Sequence, residues 1–238
     1  MNKSIFRMRR YYILNTTIIG MILCIYLLTA STDIHSVMGE AGVSPYMKGD
    51  ASKRQAAIAV HVDTDDTAMV QDMMDILMQA DVPATFFVHR EFAAAHAETL
   101  QALVQNGFEI GSMGSEDMHP VGQERSKVLN DLISTEQEIA RSMDKPLKLY
   151  CPLNGEYTRE TLSVAASLNY KTVLWSIDAV DPYAKDASAI VARATQKLHN
   201  GAIIRLNVTE LTLEALPSII QTIKEKDYVF KTVGTLIQ

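Results

Sequence analysis

From residue 56 to the C-terminus, short apolar runs alternate with segments whose apolar residues recur every three or four positions. The runs at 56–63, 84–88, 108–112, 147–151, 171–177, 202–206 and 228–232 predict seven strands. The segments at 67–80, 91–105, 127–143, 159–168, 187–198 and 213–226 predict helices. In the first helix Val70, Met73, Met74 and Leu77 share a face, and Asp81-Val82-Pro83 ends it. In the second, Ala93, Ala97, Leu100 and Val104 align, and Asn106-Gly107 supplies a left-handed cap.

Strands alternating with helices imply a parallel sheet covered by helices. The pattern alone leaves an open sheet and a barrel both available. In either case the chemistry belongs at the carboxyl ends of the strands.

The N-terminal segment is of another kind. Residues 11–30 carry no charge, and a helix of that length matches the bilayer core at about 30 Å. Arg7, Arg9 and Arg10 precede it, which predicts a cytoplasmic N-terminus and an extracytoplasmic domain. We read residues 1–30 as an uncleaved signal anchor, with secretion after cleavage as the alternative; Leu28 fits poorly three positions before a break after Ala30. Residues 31–55, which mix Ser, Thr, Asp, Gly and Pro with few large apolar groups, read as a linker, and residues 56–238 as the domain.

Removing the four basic residues of positions 1–32, which hold no acid, leaves 18 basic against 28 acidic residues, a net of −10. Such a domain is not built to bind nucleic acid; neutral glycan and protein partners remain. The two cysteines, Cys24 and Cys151, fall in different segments and provide no disulfide framework.

Ile58-Ala59-Val60-His61-Val62-Asp63-Thr64-Asp65-Asp66 delivers acids to the end of a strand. Further on come Pro83-Ala84-Thr85-Phe86-Phe87-Val88, Asn106-Gly107-Phe108-Glu109-Ile110-Gly111, the stretch from Leu168 to Asp178, and Thr212-Leu213-Glu214-Ala215-Leu216-Pro217. In this order and spacing they resemble the polysaccharide deacetylases (the NodB homology domain, carbohydrate esterase family 4). The resemblance implies a distorted (β/α)7 barrel and hydrolysis of N-acetylated glycans such as peptidoglycan or chitin-like oligomers. It also implies a divalent ion, usually zinc, held by one aspartate and two histidines.

Position by position, the resemblance finds most of that machinery replaced. The family carries Thr-Phe-Asp-Asp-Gly where this chain reads His61-Val62-Asp63-Thr64-Asp65. Asp63 keeps the place of the base, and Thr64 stands at the metal-binding aspartate. Met113 and Asp117 stand at the two metal histidines, Cys151 at the arginine that orients the base, and Asn207 at the acid histidine. Asp178, which supports the acid in the family, is retained. Methionine and a hydroxyl are poor zinc ligands. The expectation is therefore a catalytically inactive relative, with no cofactor, that binds cell-wall glycan or acts in envelope interactions.

Two alternatives stay open. One is an active deacetylase whose metal site is rebuilt from Asp63, Asp65, His61, His89 and His119. The other is a protein-interaction module. Cys151 reads as an inert buried thiol rather than a nucleophile, and Asp65 and Asp66 as caps of the first helix.

Overall fold

The computed structural model describes Met21, residues 43–143 and residues 148–238. The expected membrane segment, apart from Met21, and residues 31–42 of the expected linker lie outside the described residues. Among the described residues no helix is long and apolar enough to cross a membrane.

Residues 44–238 form one compact unit. Its order is β1 (Gln55–Val62), α1 (Thr67–Gln79), β2 (Ala84–His89), α2 (Arg90–Ala95), α3 (Ala97–Gln105), β3 (Glu109–Gly114), α4 (Arg125–Ile139), β4 (Leu149–Tyr150), α5 (Arg159–Ser167), β5 (Lys171–Thr172), β6 (Ile177–Asp178), α6 (Ala187–Thr195), β7 (Ala202–Asn207), α7 (Glu210–Glu225), β8 (Val229–Phe230) and α8 (Val233–Leu236). The strands pair in parallel in the order β5-β4-β3-β2-β1-β7-β6, with β8 beside the start of β1.

From Ala56 onward β1 is buried, as is the whole of β2. This is why they read as continuous apolar runs rather than alternating ones. The stripe predicted for α1 is the one buried, and Asp66 caps that helix by accepting from the amides of Ala68 and Met69. Val60, Phe86, Ile204 and the inward faces of α1 and α7 share the main core. Phe87, Met113, Leu149, Cys151, Val173 and Ile203 form a second apolar cluster.

Three expectations are corrected. The single strand predicted over 171–177 is two short strands that lie at opposite ends of the sheet. Four residues between them reach at most about 17 Å, whereas a flat seven-strand sheet would set its edges about 29 Å apart. The sheet is thus curled into an α/β half-barrel whose edges approach without pairing.

The linker composition of residues 44–55 also misleads, because part of that segment is sheet. Tyr46 bridges to Val173 and Lys48 to Ala202, one on each side of the gap. The amide of Tyr46 donates to the carbonyl of Thr172, and that of Leu174 to Tyr46.

Finally, the helix predicted over 91–105 breaks at His96, whose backbone leaves the helical region at φ −125° and ψ 48°. Its buried residues in the second half are Leu100 and Leu103. Val104, expected on that face, is only partly buried.

Candidate functional site

The carboxyl ends of β1, β2, β3, β6 and β7, with the residues that follow β1 and β4, bring the sequence candidates to one rim of the half-barrel. Asp63 leaves β1 with its side chain 35% exposed. One carboxylate oxygen accepts from Asn207 Nδ2 at 2.8 Å. The other faces His89 Nε2 at 3.4 Å, at the end of β2. Burial pushes the Asp63 carboxyl up, but its contact with His89 and the charge of Arg205 outweigh this and hold it below the usual carboxylate range. Asp63 is therefore an anion at neutral pH.

The expected metal positions diverge. Thr64 Oγ1 accepts from the amide of Asp66, so its hydroxyl serves the turn into α1. Met113 is 1% exposed and packs in the cluster of Phe87, Leu149 and Cys151. Asp117 lies exposed on the loop after β3. A hydroxyl, a buried thioether and a solvated carboxylate are not the donor set of a zinc site.

A displaced site does not assemble either. His119 faces Glu156 at 3.1 Å, and Asp65 faces His96 at 3.4 Å. Among the described residues no three His, Cys, Asp or Glu side chains converge as metal ligands. His61 and His89 do stand near Asp63, so the structure gathers part of the rebuilt set.

Behind Asp63 lies a replaced polar layer. His61 is buried with Nε2 3.5 Å from Cys151 Sγ and its ring edge-on to Trp175. Burial, reinforced by the Arg205 charge, lowers the His61 pKa to about 3, so the ring is neutral. The base that sequence did not show beside Cys151 is thus present. Burial still pushes the thiol far up, with the Asp63 charge adding to it. Cys151 is a hydrogen-bonded core thiol rather than a nucleophile.

Arg205 on β7 lies 4.3 Å over the Trp175 ring and 3.6 Å from Asp178 Oδ2. Asp178 therefore has a cationic partner. In the register of the sheet, Asp178 sits beside Arg205, and His61 beside both Phe87 and Asn207.

A cavity of about 350 Å³ opens on Asp63. Val62, Thr64, Asp65, His89, Phe92, Glu116, Leu153 and Asn154 complete its wall. Sequence reading missed Phe92, Glu116 and Asn154, which arrive from three separate segments. It also missed the role of Arg205, although a charge inside an apolar strand is a usable signal. Asp131 was missed as well: it is buried on α4 and accepts from the amide of Ser115, anchoring the loop beyond β3.

The comparisons agree with this geometry. The family model described as polysaccharide deacetylase matches residues 50–173. An uncharacterized protein, YlxY, of Bacillus subtilis is 28% identical over 195 residues, 81% of this chain and 60% of that protein. The chain thus spans less than two thirds of that relative's length. A peptidoglycan-N-acetylglucosamine deacetylase of Bacillus cereus is 24% identical over 200 residues, covering 81% of this chain and 93% of the relative. Among solved structures, a family 4 carbohydrate esterase pseudoenzyme from Bacillus anthracis superposes with a TM-score of 0.79 at 21% identity, over 83% of this chain and 70% of that one. A mutant of that pseudoenzyme is described as having restored enzymatic activity. The matched half of the chain, the half-barrel and the strand-end residues lead to one conclusion: this chain belongs to the polysaccharide deacetylase family.

Proposed function

We propose that this chain is a membrane-anchored, extracytoplasmic protein whose deacetylase-like domain binds cell-wall glycan built from N-acetylated sugars without hydrolysing it. The observation that carries the reading is Met113, sealed in an apolar cluster where the family places a metal ligand. Its thioether cannot be replaced by a solvated histidine without repacking Phe87 and Cys151. The cavity at Asp63 combines carboxylates with the apolar side chains of Phe92 and Leu153. That mixture suits a sugar, which presents hydroxyls at its edge and C–H groups on its face.

The test is metal analysis of the purified full chain, an acetate-release assay, and binding to purified peptidoglycan fragments. Retention on the fragments without stoichiometric metal or acetate release supports the reading. Stoichiometric zinc with acetate release overturns it. A second reading, a metal-dependent deacetylase with a rebuilt site, is favoured only by His89 standing 3.4 Å from Asp63. Acetate release abolished by a chelator would select it.

A further inference from the structure

We propose that residues 44–50 form a releasable strap, which detaches while the rest of the domain stays folded and in doing so frees Trp175 and opens the buried Cys151 to solvent. The device is independent of what the domain binds.

The strap spans the gap between the two sheet edges. On one side the Tyr46 amide donates to the Thr172 carbonyl at 2.8 Å, and the Leu174 amide donates to the Tyr46 carbonyl at 2.8 Å. On the other side the Gly49 amide donates to the Gly201 carbonyl at 2.8 Å, and Asn200 Nδ2 donates to the Ala51 carbonyl at 3.0 Å. The seat admits only bare backbone. A Cβ on Gly49 would lie 2.5 Å from the carbonyl oxygen of Leu236, and one on Gly201, at φ 75°, would lie 2.7 Å from Gly49 itself.

Little apolar surface backs these bonds. Tyr46 and Met47 are 40% and 49% exposed, whereas the side chains of β2 are buried throughout. The main core around Ile58, Phe86 and Leu216 includes no strap residue. A segment held by exposed backbone bonds with few buried apolar contacts opens at a lower free energy than the core.

Opening has a defined consequence. Residues 173–176 cross the gap and carry Trp175. The crossing is fixed by the Val173 amide on the Tyr150 carbonyl at 2.8 Å, the Leu174 amide on Tyr46, and the Ser176 amide on the Ile203 carbonyl at 3.1 Å. The strap thus supplies the middle anchor, next to Trp175. That ring lies 4.3 Å from the Arg205 guanidinium and edge-on to His61 at 5.5 Å between centroids. Val173, which bridges to Tyr46, and Leu236, against which Gly49 rests, share the apolar cluster of Cys151. Lifting the strap therefore removes one wall from a thiol that is 1% exposed. It couples the sheet edge to the layer behind Asp63.

The experiment follows alkylation of Cys151 by excess iodoacetamide in the full chain carrying Cys24→Ser, which leaves Cys151 as its single thiol. The expected labelling rate rises with urea on a slope well below that of global unfolding followed by circular dichroism, because strap release exposes little surface. Gly49→Val, whose side chain collides with Leu236, should speed labelling in buffer by about tenfold or more. It should also move the Trp175 emission to the red while the far-ultraviolet spectrum stays native. Leu103→Ala, which weakens the main core from α3, should leave labelling in buffer unchanged. A urea slope equal to that of global unfolding overturns the proposal. So does a folded Gly49→Val variant with parental labelling or parental emission, or equal acceleration by Leu103→Ala. If Gly49→Val does not fold, the urea slope of the Cys24→Ser protein decides alone.

Discussion

The side-chain amide of Asn207 donates to the carboxylate of Asp63 across 2.8 Å, joining the end of β7 to the end of β1. The two positions that the resemblance assigns to the acid and the base are thus tied to one another, one as an amide and the other as an anion. An amide at that place holds the carboxylate but has no proton to give to a leaving group. Asn207→Ala should cost on the order of 1 kcal/mol, the usual worth of a partly solvated bond to a charged group. It should also raise the Asp63 pKa. Urea unfolding and carboxyl NMR titration would check the two effects, and an unchanged titration would contradict the assigned contact.

His61 makes stability depend on pH. In the unfolded chain it titrates near 6.5, and in the fold it holds out to about 3. The unfolded state therefore binds the extra proton first. The stabilisation is present above about pH 6.5 and is lost as pH falls from there toward 3. Each pKa unit corresponds to about 1.4 kcal/mol, so the loss reaches a few kcal/mol at the acid end. Replacing His61 by Phe should flatten this limb in urea unfolding curves measured at pH steps, whatever it does to stability at neutral pH. Parallel limbs in the two proteins would refute a buried neutral His61.

Restoring the metal residues tests the positional assignments. Met113→His alone should destabilise the protein by about 1–3 kcal/mol, because an unpaired imidazole enters an apolar cluster. The triple variant Thr64→Asp, Met113→His, Asp117→His should recover zinc. Its melting temperature should then rise with zinc, the stabilisation reaching about 2.7 kcal/mol at a hundredfold excess over the dissociation constant. A folded triple variant without zinc would count against the assignments.

Trp175 is the single tryptophan of the chain. The Arg205 guanidinium stacked on it at 4.3 Å makes its fluorescence a reporter of the polar layer. Arg205→Met should shift the emission and cost about 1–2 kcal/mol, through the lost stack and the unpaired Asp178. A spectrum identical to that of the parent would argue against the stack.

Much of this was legible in the chain. The buried stripe of α1, the turn at Asp81-Val82-Pro83 and the alternation of strands and helices follow from local periodicity, which depends only on neighbouring residues. Helix α2–α3 and the 171–177 segment were misread because nothing local marks their breaks. His96 leaves the helix while facing Asp65, and residues 173–176 are pulled off the ladder to cross between the two sheet edges. Residues 44–50 resemble a linker by composition, yet Tyr46 and Lys48 are held by backbone bridges, which composition does not encode.

The site divides in the same way. From the sequence alone came the alternation of strands and helices, the resemblance to the family, and the assignment of Thr64, Met113 and Asp117 to its metal positions, because each is a matter of residue type at a given spacing. Only the tertiary structure decided what stands in their place. It set Asn207 against Asp63, His61 against Cys151 and Arg205 against Asp178, and it opened the cavity among Asp65, His89 and Glu116. These pairings join residues up to 144 positions apart, and parallel register, rather than proximity in the chain, fixes which side chains meet.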